Sequence, residues 1–247
     1  MSQILHSSPA APYLSVVIPA YNEEIRISRT VREIVAYLNE QDYAWEIVVA
    51  DDGSADATAR LVAEAAGGDP RVRVLPLEHR GKGWAVKNGM LAAAGEFRLL
   101  CDADLSVPIA QVERLLPHGG ADVDVAVGSR EAPGAARYGE PGRRHLMGRV
   151  FNAVARRLAA PGLADTQCGF KCFRAAAAGR LFAQVTLDGF SYDVEVLYLA
   201  RRSGLTVAEI GVDWHYREHS KVRPLRDALS MTMDLLRIRW RHRGFAG

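Results

Sequence analysis

The stretch Gly95–Pro108, GEFRLLCDADLSVP, decides how the rest of the chain is read. Phe97–Cys101 is a short apolar run broken only by Arg98, and it stops abruptly at Asp102-Ala103-Asp104. Such a run reads as a buried parallel strand that delivers two carboxylates to the edge of a sheet. Open α/β sheets bind ligands outside the carboxyl ends of their strands. On an extended backbone, alternation puts Asp102 and Asp104 on one side and the small Ala103 on the other. Two carboxylates on one side repel unless a cation or a proton sits between them. An all-oxygen pair favours Mg2+ or Mn2+, with substrate phosphates among the remaining ligands. The plain alternative is a solvated acidic loop, since D-x-D by itself is common.

Working outward, strand and helix signals alternate. Leu14–Ile18 is a buried-strand run stopped by Pro19, and Glu24–Asn39 has helical spacing with Ile27, Val31, Ile34, Val35 and Leu38 on one face. Glu46–Ala50 is a second strand, ending in Asp51-Asp52-Gly53-Ser54, and Ser54 or Asp56 is placed to cap a helix running to Ala66. Val72–Leu75 is a third strand, and Gly81-Lys82-Gly83 opens a helix over Trp84–Ala94. Beyond the opening stretch come a helix near Ile109–Leu116 and a strand over Asp124–Gly128. This alternation predicts an α/β fold: a mostly parallel sheet with helices on both faces.

The second half is less regular. Glu131–Arg144 is rich in Gly, Pro and charge and reads as a mobile loop or lid. Leu146–Ala160 is helical, Asp165–Phe173 is irregular and then extended, Ala175–Ala183 and Phe190–Arg202 are helices, and Leu205–Val212 is a strand. A last helix, Leu225–Arg241, carries Leu225, Leu229, Met233, Leu236 and Trp240 as a narrow apolar stripe. The stripe either docks on the domain or, with its flanking arginines, meets an anionic membrane surface. The expected division is an arm over 1–13, a domain over 14–223 and a basic amphipathic helix over 224–247.

Composition narrows the function classes. The 247 residues are 49% hydrophobic and 24% charged, with a net charge of +2, so nucleic acid is not an expected partner. From Trp214 onward eight Lys/Arg face three acids. The three cysteines, Cys101, Cys168 and Cys172, form no spaced framework, which points to a reducing compartment and against structural disulfides or zinc. Residues 1–22 hold no Lys, Arg, Asp or Glu, yet Pro9, Pro12 and Pro19 fit neither a signal peptide nor a span. The expected location is cytoplasmic, with peripheral contact at the membrane face.

Each polar motif has a plain reading beside a chemical one. Pro19-Ala20-Tyr21-Asn22-Glu23-Glu24 either surrounds a nucleotide base or is an ordinary strand-to-helix turn. Asp51-Asp52 offers a carboxylate to a base N–H or caps a helix. Gly81-Lys82-Gly83 lacks Walker spacing, but it can bring Lys82 and free backbone N–H groups toward phosphate; otherwise it is a surface turn. Arg130, after Gly128-Ser129, presents a guanidinium suited to an oxyanion or stays solvated. Asp193 and Glu195 lie two apart on a helix, which does not put them on one face, so one is expected inward and the other solvated. Lys221, in His219-Ser220-Lys221, neutralises phosphate or belongs to a basic surface loop.

In this order, PAYNEE, DDGS, GKG, DADLS, GSR, DTQCGFK and HSKVRPLRDA, the chain resembles the family 2 glycosyltransferases of GT-A fold over roughly Leu14–Leu229. DTQCGFK and SKVRPLRD give it most similarity to the polyprenyl-phosphate sugar synthases, the dolichyl-phosphate β-glucosyltransferases among them. The resemblance implies that Pro19, Tyr21, Glu23 and Asp52 line the base and ribose, and Ala20 and Asp51 beside them are further substrate-binding candidates. It implies that Asp102, Ala103 and Asp104 form the D-x-D site, where Mg2+ or Mn2+ holds the donor diphosphate. Lys82, Arg130 and Lys221 would meet phosphate, and Gln167 would lie near the sugar or acceptor. The implied reaction is inverting transfer of a hexose, glucose first, from a nucleotide sugar (UDP-glucose ahead of GDP-mannose) to a polyprenyl or dolichyl phosphate. A hydroxyl acceptor would instead require a general base, for which Asp193 is the candidate. Two departures stand out: Ser106 sits where some relatives place Gln, and no run is long and apolar enough to cross a bilayer. A non-catalytic nucleotide-binding scaffold is disfavoured by the acids and Lys221. A nucleotidyltransferase is disfavoured because an acidic rather than Gly-rich basic segment follows the first strand.

Overall fold

The structure is a computed structural model that describes residues 11–139, 142, 162–217 and 224–244, with backbone alone over 224–232. The expected helix Leu146–Ala160, the His219-Ser220-Lys221 motif, residues 1–10 of the arm, part of the expected lid, and the side chains of Leu225 and Leu229 lie outside it.

Nine strands are described: β1 Leu14–Ala20, β2 Trp45–Asp51, β3 Val72–Pro76, β4 Phe97–Cys101, β5 Val125–Ser129, β6 Ala136–Tyr138, β7 Phe170–Arg174, β8 Val207–Gly211 and β9 Asp213–His215. The described α-helices are α1 Ile27–Asn39, α2 Thr58–Ala66, α3 Lys82–Ala92, α4 Ala175–Gln184, α5 Tyr192–Arg202 and α6 Pro224–Arg241. Ile109–Leu115, expected as a helix, is 3-10.

Seven strands form one sheet in the order β3-β2-β1-β4-β7-β5-β8. All of its pairings are parallel except those of β7, which runs antiparallel to both β4 and β5. The alternation inside the all-apolar strands explains why they read as continuous hydrophobic runs. Val16, Ile18, Ile47, Val49 and Leu99 pack in one core with α1, while Val17, Val48 and Leu100 pack in the other with α3, α4 and α5. Each such side chain, fully withdrawn from water, stabilises the fold by about 1.5–3 kcal/mol.

Two sequence expectations change here. β1 continues through Pro19 to Ala20, because its pairing with β4 ends at Val17–Leu100, before the residue that lacks an N–H. The expected lid is anchored over its described part. Residues 136–138 pair in parallel with β9, and Gly211 leaves room for the passing backbone, where a Cβ would lie 2.4 Å from the Pro133 carbonyl oxygen.

The carboxyl ends of β1, β2 and β4 lie side by side, with Ala20 in register with Asp51. Because β7 is reversed, its beginning rather than its end reaches this rim, with Phe170 opposite Cys101. That reversal brings Asp165–Gly169 up against the DADLS turn.

Candidate active site

The turn after β4 is the centre of the rim. The strand ends at Cys101, the Leu105 N–H donates to the Asp102 carbonyl (3.2 Å), and Leu105 has φ +46°. A turn, rather than strand alternation, therefore sets the directions of Asp102 and Asp104. Ala103 is buried, and its carbonyl accepts the Thr30 hydroxyl of α1 at 2.6 Å. Asp104 Oδ1 accepts the Ser106 N–H at 2.9 Å, so Ser106 braces the second acid through its backbone.

Lys82 comes to this turn from the first residue of α3. Its ammonium lies 2.7 Å from Asp102 Oδ1, and both side chains remain partly open to solvent. Burial works against the Lys82 charge, but Asp102, Asp193 and Asp104 outweigh it and hold the pKa up to about 12. The surface-turn reading of Gly81-Lys82-Gly83 is therefore corrected. So is the expectation of free N–H groups, since Gly83 and Trp84 both donate to the Asp188 carbonyl, at 2.7 and 3.3 Å. Gly83 permits that approach, because a Cβ there would fall 2.4 Å from the Leu187 carbonyl oxygen.

Behind Lys82 lies Asp193, 5% exposed, with Lys171 Nζ 2.5 Å from its Oδ1; the same ammonium donates to the Cys168 carbonyl at 2.6 Å. Burial raises the Asp193 pKa, against the pull of Lys171 and Lys82. Glu195, expected to be solvated if Asp193 points inward, is fully buried as well. α5 is enclosed on most sides, by the sheet-side core and by Leu235 and Ile238 of α6, so helical phase does not decide exposure there. Glu195 accepts the Thr186 and Leu187 N–H groups (3.0 and 2.9 Å) and meets His242 Nε2 at 2.7 Å.

The β1–β2 side carries the other candidates. Tyr21 stacks on His79 with centroids 4.0 Å apart and an interplanar angle of 12°. His79 Nδ1 lies 2.8 Å from Asp52 Oδ2, and the Asp52 carboxylate also accepts the Arg80 and Gly81 N–H groups at 3.0 and 2.9 Å. Asp51 accepts the Ser54 N–H at 3.2 Å. Neither acid caps α2, nor do Ser54 or Asp56: its N-cap is Ala57, with no side-chain cap, and Asp56, one residue earlier, accepts the Thr58 N–H at 2.9 Å. Pro19 and Ala20 are buried at the strand end, and Glu23 pairs with Arg26 at 2.8 Å.

Arg130 is gripped by Asp165 in a two-point ion pair, Nε to Oδ2 at 2.6 Å and Nη2 to Oδ1 at 2.8 Å. Burial opposes the charge on Asp165, but Arg130 prevails and holds the carboxyl well below its usual range. Asp165 also accepts the Gln167 N–H at 3.2 Å. The Arg130 fork is thus engaged by protein, and its structural effect is to set the path of Asp165–Gly169. Burial pushes the Cys168 and Cys172 thiols up to about 12, consistent with inert core cysteines.

The structure thus gathers Asp102, Asp104 and Asp193 around the Lys82 ammonium, with Lys171 behind. It links Gln167 and Arg130 through Asp165, and Tyr21 and Asp52 through His79. Lys171, His79 and Gly169 were not singled out from sequence. A lysine inside the apolar run Phe170–Phe173 was the available signal for the first, since a buried ammonium needs an acid. Among the described residues no group of three or more His, Cys, Asp or Glu could hold a metal ion. Asp102 and Asp104 would offer a divalent ion two carboxylates, a set that substrate phosphate and water would have to complete, as is common for Mg2+.

Comparison with known proteins gives the family and the fold. The family model for Glycosyl transferase family 2 matches residues 15–182. Dolichyl-phosphate beta-glucosyltransferases are 35% identical in Dictyostelium discoideum and 36% in Homo sapiens, each over 93% of this chain and 75% of the relative. The Saccharomyces cerevisiae protein of that name is 32% identical over 95% of this chain and 76% of its own. The fold is that of glucosyl-3-phosphoglycerate synthase from Mycobacterium tuberculosis, solved with Mn2+, uridine diphosphate and glucosyl-3-phosphoglycerate. Their TM-score is 0.65 at 22% identity, covering 96% of this chain and 81% of that one. The sheet order, the carboxylate-bearing turn at its rim and these matches over most of the sequence lead to one assignment: the chain belongs to glycosyl transferase family 2.

Proposed function

We propose that the chain transfers glucose from UDP-glucose to a dolichyl or other polyprenyl phosphate, with inversion at the anomeric carbon and with Mg2+ or Mn2+ held by Asp102 and Asp104. The similarity to dolichyl-phosphate beta-glucosyltransferases supports the sugar and the acceptor class. The geometric observation that carries the phosphate acceptor is Asp193. The candidate base for a hydroxyl acceptor is buried and ion-paired with Lys171 at 2.5 Å. A phosphate monoester, with a second pKa of about 6, is already anionic near neutral pH and needs positioning rather than deprotonation.

In the reaction a phosphate oxygen of the acceptor forms the new bond to the anomeric carbon. The bond from that carbon to the β-phosphate oxygen breaks, and its electron pair leaves with the nucleoside diphosphate. A divalent ion, when bound, supplies positive charge to that diphosphate. Lys82 holds the Asp102 carboxylate in place and remains protonated throughout the neutral range. Tyr21, backed by His79, offers a flat face to a base, and Asp52 fixes the turn that carries His79. Asp165 and Arg130 hold the segment bearing Gln167 against the rim.

Access to a lipid acceptor is proposed through α6. Leu235 and Ile238 are fully buried on its inner face, while Met233, Leu236 and Trp240 stand 55%, 55% and 67% exposed, beside Arg237, Arg239 and Arg243. The helix therefore docks with one stripe and leaves another for an anionic bilayer surface, on the cytoplasmic side. Among the described residues no helix is long and apolar enough to cross a membrane.

The test is a screen of UDP- and GDP-sugars with Mg2+ or Mn2+ and a short polyprenyl phosphate, with product stereochemistry read in the same assay. UDP-glucose giving a β-linked glucosyl phosphate is the expected result. Transfer only to sugar hydroxyls, or retention of configuration, would contradict the proposal.

A further inference from the structure

A cavity of about 280 Å3 opens between the start of α1 and the DADLS turn. Arg26 at the N-cap of α1, Arg29 and Glu33 of its first two turns, Asp104 of the DADLS turn, Arg217 beyond β9 and Ile25 are among its lining residues. At about 30 Å3 per water this is room for about nine molecules, or a phosphate group with a short stretch of chain. None of the functional assignments above uses Arg29, Arg217 or Ile25.

We infer that this cavity is the subsite for the phosphate of the acceptor, with Arg29 and Arg217 as its ligands and Ile25 as the first contact for the attached hydrocarbon. The inference rests on the proposed transfer to a lipid phosphate and names where that phosphate sits.

Three guanidiniums face two carboxylates here, and their commitments differ. Arg26 is held by Glu23 at 2.8 Å and is largely covered. Arg29 lies 3.6 Å from Glu33 with its side chain 79% exposed. An exposed pair at that separation is worth at most about 1 kcal/mol, so a dianion offering two oxygens to the same fork displaces it readily. Arg217, beyond β9, lines the same cavity and is exposed. The first turn of the 13-residue helix α1 adds the positive end of its dipole on the same side.

Two carboxylates line the cavity: Glu33, which is paired with Arg29, and Asp104, one of the two proposed metal ligands, whose charge would repel an anion. With a divalent ion between Asp102 and Asp104 that repulsion reverses. The cavity then becomes attractive to an acceptor phosphate next to where the donor diphosphate is held. Ile25, 86% exposed, is unremarkable alone, since single aliphatic side chains on a surface are ordinary. At the rim of a cationic cavity it adds an apolar contact, and the combination matches an amphiphile with an anionic head better than an inorganic anion.

Farnesyl phosphate is the probe, titrated calorimetrically into the full chain with Mg2+ and UDP present. The Arg29→Gln/Arg217→Gln variant, altered at two exposed positions, should bind farnesyl phosphate at least tenfold more weakly, while its Kd for UDP stays within about twofold. Lysine at both positions should restore most of the loss. Ile25→Ser should weaken farnesyl phosphate about threefold and leave methyl phosphate unchanged. Unchanged farnesyl phosphate affinity in the double variant, or no binding by the parent chain, overturns the inference. So does an equal loss for UDP, which would assign the cavity to the donor diphosphate. Failure of the proposed reaction is read separately, because these titrations need no turnover.

Discussion

A side chain at residue 169 would strike the carboxylate of Asp102: a Cβ on Gly169 falls 2.0 Å from Asp102 Oδ2 and 2.3 Å from its Cγ. The two residues are also joined through the backbone, the Asp102 N–H donating to the Gly169 carbonyl at 3.2 Å. The DTQCGFK segment is therefore a wall of the D-x-D site. Gly169→Ala forces the carboxylate away from its 2.7 Å contact with Lys82. The expected result is a loss of about 100-fold in kcat/KM, the scale of a 1 Å misplacement, with a stability cost of about 1–3 kcal/mol. Steady-state kinetics beside a urea melt checks it; a variant with parental kinetics would show that the position of Asp102 does not matter.

Lys82 gives a pH dependence with a definite sign. Its pKa rises from 10.5 to about 12 in the folded chain. A raised pKa in a base means stabilisation that is fully present below the unfolded value and lost as pH climbs through the folded one. The gap in Tm between the parent and Lys82→Met should be constant from about pH 6 to 9 and should narrow above about pH 10.5. Turnover of the variant should fall about 100-fold at neutral pH, the scale of removing one charge-stabilising group. A Tm gap that widens with alkali would contradict the charge assignment.

Asp193 separates the two acceptor chemistries. Asp193→Asn alone leaves Lys171 buried without its acid, a cost of about 3–5 kcal/mol, so Asp193→Asn/Lys171→Met is the informative form. In that folded variant, glucosyl transfer to a polyprenyl phosphate should persist within about tenfold of the parent. Complete loss, with the fold intact by near-UV circular dichroism, would mean that a proton must be taken after all.

The exposed stripe of α6 is tested by Met233→Ser/Leu236→Ser/Trp240→Ser. These side chains are more than half exposed, so Tm should hold, whereas Leu235→Ser at a fully buried position should lower it. Sedimentation with phosphatidylserine vesicles should drop at least tenfold for the triple variant. Parental vesicle binding would remove the membrane role from this helix.

The strands of the seven-stranded sheet were legible because each is a short β-rich run, and both faces of the sheet are covered; β4 over Phe97–Cys101 matches its expected bounds, whereas the short pair β6 and β9 was not expected. The acids at the rim were legible for the same reason, since a charge at the end of a buried strand has nowhere else to go. What the sequence concealed depends on partners distant along the chain. Gly169 is needed because of Asp102, 67 residues away, and nothing local marks it. The reversal of β7 is invisible in Phe170–Arg174, because side-chain alternation is the same in both strand directions. Glu195 escaped because helical phase assumes one wet face, and α5 has hardly any. That Arg130 is held by Asp165 was hidden, because the depth of Asp165, fully buried beside it, cannot be read from DTQCGFK.

In the proposed reaction, glycosyl transfer depends on a divalent ion held by Asp102 and Asp104. The most direct measurement is the rate of UDP-glucose-dependent glucosylation of a polyprenyl phosphate, by the parent and by Asp102→Ala/Asp104→Ala, with Mg2+ or Mn2+ and after chelation by EDTA. Turnover by the parent should be abolished by EDTA and restored by added metal. The folded variant should lose at least about 1,000-fold at every metal concentration. Full turnover by the variant, or by the chelated parent, would contradict that dependence.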